Sequence, residues 1–273
     1  MRKISVGRIV CAIILFTMLA MSLMPMYIMF ATSTKSATEF ATNFWGIAWP
    51  PKWSNYVIAW NGIKHYVVNT LICSSMTVFF STAFAVLAGY AFAKMRFKGK
   101  DTLYMVIMAF RMVPGTLLLI PNFLMAYRMG LYNTFWGVVL PGLAGVSFMP
   151  MILVMNHFRT IPDSIFEAAR IDGANEWAII KKILLPLGKP IILTCMLFTF
   201  FGTIGTYTWP LLILRDDSLK TVAIGLTAFS GQYGTDYGVQ MAAYSIVSGA
   251  LMVLVALTMK TYISGITAGA DKG

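Results

Sequence analysis

Acidic residues are scarce in this chain, and their positions matter more than their number. Asp and Glu together make up 10 of 273 residues, at positions 39, 101, 163, 167, 172, 176, 216, 217, 236 and 271. All of them fall outside the long apolar runs. A proton- or sodium-coupled carrier generally needs an ionisable group at membrane depth, so this pattern argues against a self-powered carrier. His65 and His157 lie at opposite ends of apolar runs, too far apart for a dyad or a shared metal. The three cysteines, Cys11, Cys73 and Cys195, have no paired spacing and give neither a disulfide framework nor a metal set. There is no G-x-x-x-x-G-K-[ST] loop for ATP. No Ser/His/Asp or paired-carboxylate arrangement is visible, so the chain does not read as an enzyme.

What is abundant is apolar surface. Hydrophobic residues make up 58% and charged residues 11%, with a mean hydropathy of +0.74, whereas soluble domains are about a quarter charged. This composition predicts an all-α, polytopic membrane protein with a single membrane domain over 1–273. Spans are expected at about 9–30, 66–93, 102–126, 134–156, 189–214 and 241–264. The first apolar run exceeds a signal-peptide core of about 7–15 residues and no A-x-A site follows it, so it reads as an uncleaved helix. Between Ala31 and His65 stand Trp45, Trp49, Trp53 and Trp60, rings that favour the membrane interface. Pro114, Pro121, Pro141 and Pro150 predict kinked helices in spans three and four. The polar, Gly-rich stretch from Arg215 to Gln240 reads as a loop.

The net charge of +11 comes without basic runs interleaved with aromatics, which argues against nucleic acid. Positive residues instead mark one side of the membrane. With six spans and both termini on the cytoplasmic side, fourteen Lys and Arg lie in inside segments and six in outside ones. Arg111 is the one cation left inside a span. It reads either as a group lining a solute path or as a charge paired with helix carbonyls or with a partner subunit.

Ser164 to Pro186, SIFEAARIDGANEWAIIKKILLP, is a polar island within 157–188. Ser164 and Glu167 fit the S-x-x-E capping box at a helix start. Gly173 is placed to end that helix in a left-handed turn. A second helix is expected from about Asn175 to Pro186. The first helix, about two turns long, is too short to stand alone, so Ile165, Phe166 and Ala169 should rest on something. On helix physics alone, this is a hairpin on the protein's own surface or a docking element.

Residue order adds a resemblance. Glu167-Ala168-Ala169, three residues, Gly173, nine residues, Ile183, one residue and Leu185-Pro186 is similar to the EAA loop of permease subunits of binding-protein-dependent ABC importers. KMRFKGKD, RMVPGTLLLIP, GLYNT, GQYGTDYGVQMAA and the ending SGITAGADKG resemble the second permease subunit of the maltose-transporter type. The likeness implies a type I permease fold with six transmembrane helices in the bacterial inner membrane. It implies four kinds of neighbour: a second, different permease, two ATP-binding subunits, an extracytoplasmic solute-binding protein, and the lipid bilayer.

It further implies that Ile165, Phe166, Glu167, Ala168, Ala169, Asp172 and Gly173 couple to the ATPase, which alone would carry ATP and Mg. No cofactor or metal is implied on this chain. The tail Gly265–Gly273 would reach toward the ATPase and the 215–240 loop toward the binding protein. The implied solute is a carbohydrate or polyol, with Arg111, Tyr207 and Trp209 as candidate path residues. Ile204-Gly205 stands where the family often has a Trp-Asn pair, so the path lining differs here. The alternative reading is a stand-alone carrier or channel for a small polar solute.

Overall fold

The computed structural model describes residues 6–234 and 236–270, and side chains over 261–270 are not described. Every regular element among the described residues is helical. In chain order these are α1 (Val6–Ser33), α2 (Ala37–Thr42), α3 (Ser54–Lys94), α4 (Lys100–Arg111), α5 (Leu119–Arg128), α6 (Phe135–Val146) and α7 (Phe148–Arg159). Then come α8 (Asp163–Ile171), α9 (Glu176–Ile179), α10 (Leu185–Ile204), α11 (Thr208–Ile213), α12 (Val222–Tyr233) and α13 (Tyr237–Ala270). Among the described residues, four stretches are long and apolar enough to cross a membrane: Gly7–Ser33, Ser54–Lys94, Glu176–Ile204 and Tyr237–Lys260. The count rises to six if each of two bent helix pairs makes one span.

The bends have local causes. Lys100–Arg111 and Gly115–Arg128 meet at 88°. Pro114 has no N–H and pushes Val113 out of helical geometry, so the chain restarts as a 3-10 turn, Gly115–Leu118, before α5. Phe135–Val146 and Phe148–Arg159 meet at 48° around Ser147. Pro150, in the first turn of α7, has no N–H for the Val146 carbonyl and its ring crowds that carbonyl, so the helix breaks there.

Contacts divide the chain into two compact units. One comprises Met1–Lys64 and Gly225–Val253. Its anchor is Lys35, fully buried, whose Nζ donates to the carbonyls of Asn43 and Phe44 at 2.7 Å each. Burial pulls the Lys35 ammonium below its ordinary value, while nearby Glu39 works the other way. Asn55 Nδ2 donates to the carbonyls of Ser33 and Lys35 at 2.9 Å each. These bonds fold the segment after α1 back onto the start of α3. That start lies at Ser54, earlier than the sequence suggested, and the 41-residue helix runs on to Lys94.

The other unit comprises His65–Ile224 and Leu254–Gly273. Its core joins α3, α7, α8, the turn before α10 and α10 itself through Tyr90, Val154, Phe158, Phe166, Leu184 and Cys195. Close helix approach requires glycine at Gly188, where a Cβ would come within 2.8 Å of the Phe158 ring.

Two expectations need correction. The segment 215–240 is not all loop: α12 occupies Val222–Tyr233. Pro186 also ends nothing. A π-helical turn, Ile180–Leu184, leads from α9 into α10, with the Leu185 N–H bonding Ile180 O. Pro186 follows in the first turn of α10, where a missing N–H is tolerated. Helix α13 continues to Ala270, and 271–273 of the expected tail lie outside the described residues.

Candidate functional site

Two places carry the residues singled out above. The first is the island of α8 and α9. Helix α8 begins at Asp163 with Pro162 at its N-cap and no side-chain cap. Ser164 is therefore already inside the first turn, and the expected capping box with Glu167 does not form. The same S-x-x-E pattern does form a capping box at Ser36 and Glu39, before α2.

The far end of α8 matches the expectation. Gly173 has φ +82°. Gly173 N–H donates to Arg170 O at 3.1 Å and Ala174 N–H to Ala169 O at 2.9 Å, the paired bonds of a Schellman motif. Asn175 then caps α9, its side chain accepting from Ala178 N–H at 2.8 Å.

The apolar set expected to make one contact splits across two faces of α8. Phe166, 2% exposed, is built into the chain's own core, and half-buried Ala169 packs against that core. Phe166 is therefore an anchor rather than an exposed docking group. Ile165 is 39% exposed, and Glu167, Ala168 and Asp172 face outward. Ile171 at 86% and Trp177 at 69% exposure extend the apolar part of that outer surface.

Polar bonds from the end of α3 hold the inner face. Lys94, with its side chain 6% exposed, donates from Nζ to Ile161 O and to Asp163 Oδ1, both at 2.6 Å. The ammonium also stands 5.2 Å from the Phe166 ring centroid. The Lys94 hydrogen bond, followed by its charge, holds the Asp163 carboxyl below its usual value. One turn earlier, Tyr90 OH donates to Glu176 Oε2. Arg170 closes a triangle, donating from Nε to Glu176 Oε1 at 3.3 Å and from Nη2 to the Tyr90 hydroxyl oxygen at 3.2 Å. Tyr90, Lys94, Asp163, Arg170 and Glu176 are not among the candidate residues that the sequence singles out. A groove of about 340 Å³ opens between Lys94, Arg96, Asp163, Glu167 and Arg170.

The second place is the break between α4 and α5. Arg111 ends α4. It lines a cavity of about 490 Å³ together with Asn122, Phe148 and Trp209. The guanidinium lies 5.9 Å from the Phe148 ring centroid. The Trp209 indole N–H donates to the carbonyls of Gly137 and Val138, both at 3.2 Å, which fixes the ring against α6. Trp209 also borders a smaller cavity of about 120 Å³, whose lining includes Thr70, Ser74, Thr77, Thr203 and Thr206. Arg111 and Trp209 thus come together, whereas Tyr207 is among the lining residues of neither cavity.

Nearby, Asn133 with φ +57° accepts from the backbone N–H groups of Arg215 and Asp216 at 3.0 Å each. That pins the segment after α11. No group of three or more His, Cys, Asp or Glu suited to a metal occurs among the described residues.

The chain as a whole is similar to known proteins. The "Probable ABC transporter permease protein YurM" of Bacillus subtilis (strain 168) is 28% identical, with 100% of this chain and 91% of that protein aligned. The "Trehalose/maltose transport system permease protein MalG" of Thermococcus litoralis is 30% identical over 76% of this chain and 75% of that one. Among solved structures, a chain of a bacterial ABC transporter involved in the import of the acidic polysaccharide alginate superposes with a TM-score of 0.81. That chain is 26% identical, with 96% of this chain and 99% of that one covered. The family described as binding-protein-dependent transport system inner membrane component matches residues 81–263, from the middle of α3 into α13. This chain, an all-α multi-pass membrane permease, belongs to that family.

Proposed function

We propose that the chain is the membrane-spanning permease subunit of an ABC importer for a carbohydrate or related polyol. It works beside a second, different permease, and two ATP-binding subunits, which carry ATP and Mg, drive it. An extracytoplasmic solute-binding protein delivers the solute. Both termini and the α8–α9 island lie on the cytoplasmic side of the inner membrane, as the distribution of Lys and Arg supports. The names of the maltose, trehalose and alginate transport proteins support the carbohydrate class.

The observation that carries the coupling role is the two-sided build of α8. Its inner face is locked through Phe166 and Lys94, while Ile165, Glu167 and Ala168 stay exposed on the outer face. A short helix held this firmly can pass a push from a docked ATPase to α3 without bending. The path then runs past Arg111 and Trp209 at the α4–α5 break.

The test is Glu167→Lys in the assembled complex. The variant protein inserts and assembles, but uptake per ATP hydrolysed falls severalfold. Unchanged uptake would remove the outer face of α8 from the mechanism.

A further inference from the structure

Arg111 has a cost that the transport reading does not account for. Counting about 1.5 Å per residue along α4 from Lys100 puts it roughly 17 Å in, inside an apolar stretch that, taken with α5 as one bent span, is long enough to cross a membrane. A charge there costs about 2.5–3.5 kcal/mol on insertion scales. Cations in this chain that are withdrawn from water have evident partners: two carbonyls for Lys35, a carbonyl and a carboxylate for Lys94. Arg111 takes part in none of the four ion pairs among the described residues. No Asp or Glu occurs from position 102 to position 162. None lines the cavity that Arg111 faces. Arg111 is exposed in the single chain, so any carboxylate that meets it across this cavity comes from outside the described residues.

The cavity indicates its source. Its volume of about 490 Å³ falls within the range of small-molecule sites, about 300–1,000 Å³. Gly142 and Gly145 give it room, since a Cβ on either would meet nothing within 4 Å. Trp209 offers an immobilised ring face, and Asn122 offers an amide. Ring face, amide and guanidinium together match a sugar ring bearing a carboxylate. We infer that the Arg111 cavity is a solute subsite selective for uronate-type, negatively charged saccharides, with the guanidinium receiving the carboxylate and Trp209 the ring. The inference rests on the importer reading but names a solute chemistry that reading leaves open.

The experiment uses the complete complex in lipid nanodiscs, with tritiated trigalacturonate and its carboxyl-reduced neutral counterpart as probes. Wild type binds the uronate at least tenfold more tightly than the neutral trisaccharide. Arg111→Gln weakens uronate binding roughly 10- to 100-fold, the size of one charge-assisted hydrogen bond, and leaves the neutral sugar within about twofold. Arg111→Lys falls between, because it keeps the charge but loses the planar fork.

Equal affinity of wild type for the two probes would overturn the inference, as would an equal loss of both in Arg111→Gln. So would failure of Arg111→Gln to assemble with its partners, because the counter-charge would then belong to a neighbouring subunit. ATP-driven uptake of neutral and acidic sugars, measured in parallel in proteoliposomes, separates the two levels. Uptake without uronate selectivity sinks the subsite alone. Arg111-dependent uronate binding without any driven uptake supports the subsite and counts against the importer reading.

Discussion

Lys94 and Arg111 lie seventeen positions apart and meet opposite fates. At the end of α3, Lys94 loses nearly all its water but gains a carbonyl and a carboxylate. At the end of α4, Arg111 gains an aromatic face and an open cavity but no carboxylate among the described residues. A withdrawn charge with satisfied bonds is a fastener, because removing either partner strands the other. An exposed guanidinium that faces a cavity with no carboxylate stays open to a ligand. The same contrast holds within α8, whose inner face is fully used by the chain while its outer face is left for something else.

The largest expected effect comes from breaking the inner face. Phe166→Ala removes a ring that is 2% exposed and ringed by core residues, and such truncations cost about 3–5 kcal/mol. The seat of α8 should loosen, seen as a lowered thermal midpoint and faster protease cleavage within 163–171. Ile165→Ala on the outer face should leave both unchanged in the isolated chain while weakening retention of the ATP-binding subunit. Equal destabilisation by the two variants would erase the difference between the faces.

An intermediate effect is expected at the hinge. Gly173→Ala forces a side chain into a φ of +82°, at about 1–2 kcal/mol. Nothing lies within 4 Å of the added Cβ, so the cost is purely conformational. Gly188→Ala instead meets the Phe158 ring at 2.8 Å. Gly173→Asn, which tolerates the left-handed region better, should recover much of the loss by the same thermal measurement. No recovery would mean that Gly173 serves something other than its backbone angle.

How much of this was legible follows from the range of each interaction. The apolar stretches could be read, because hydropathy is a local sum. The Gly173 stop and the start of a helix near Asn175 could be read, because their geometry involves residues at most five positions away. The start of α8 could not, since Ser164-x-x-Glu167 and Ser36-x-x-Glu39 share one pattern. Only the placement of Pro162 at the N-cap separates them. Pro114 announced a kink without its 88° angle. Helix α12 was hidden under a polar, Gly-rich composition. The fastening of the island was beyond reach for a simpler reason: Tyr90 and Glu176 are 86 positions apart, and Lys94 and Asp163 are 69. Arg111 stood out only through the cost of a charge in an apolar run.

The smallest effect expected concerns pH at the fastener itself. Asp163 has a carboxyl held below its ordinary value by Lys94. A depressed folded-state value contributes stability above the unfolded carboxylate pKa, about 3.9. That contribution fades only as pH falls through the still lower folded value. Fastening of α8 should thus be flat from about pH 5 to 8 and weaken only below about pH 4. Because the Asp163 side chain is 72% exposed, solvent screening keeps the change slight. Spin-label mobility at position 164, followed against pH, should show this late, shallow loosening in wild type and none in Asp163→Asn, where the titrating group is gone. Loosening of wild type between pH 5 and 8 would mean that another group governs the seat, and that Lys94 is held mainly by the Ile161 carbonyl.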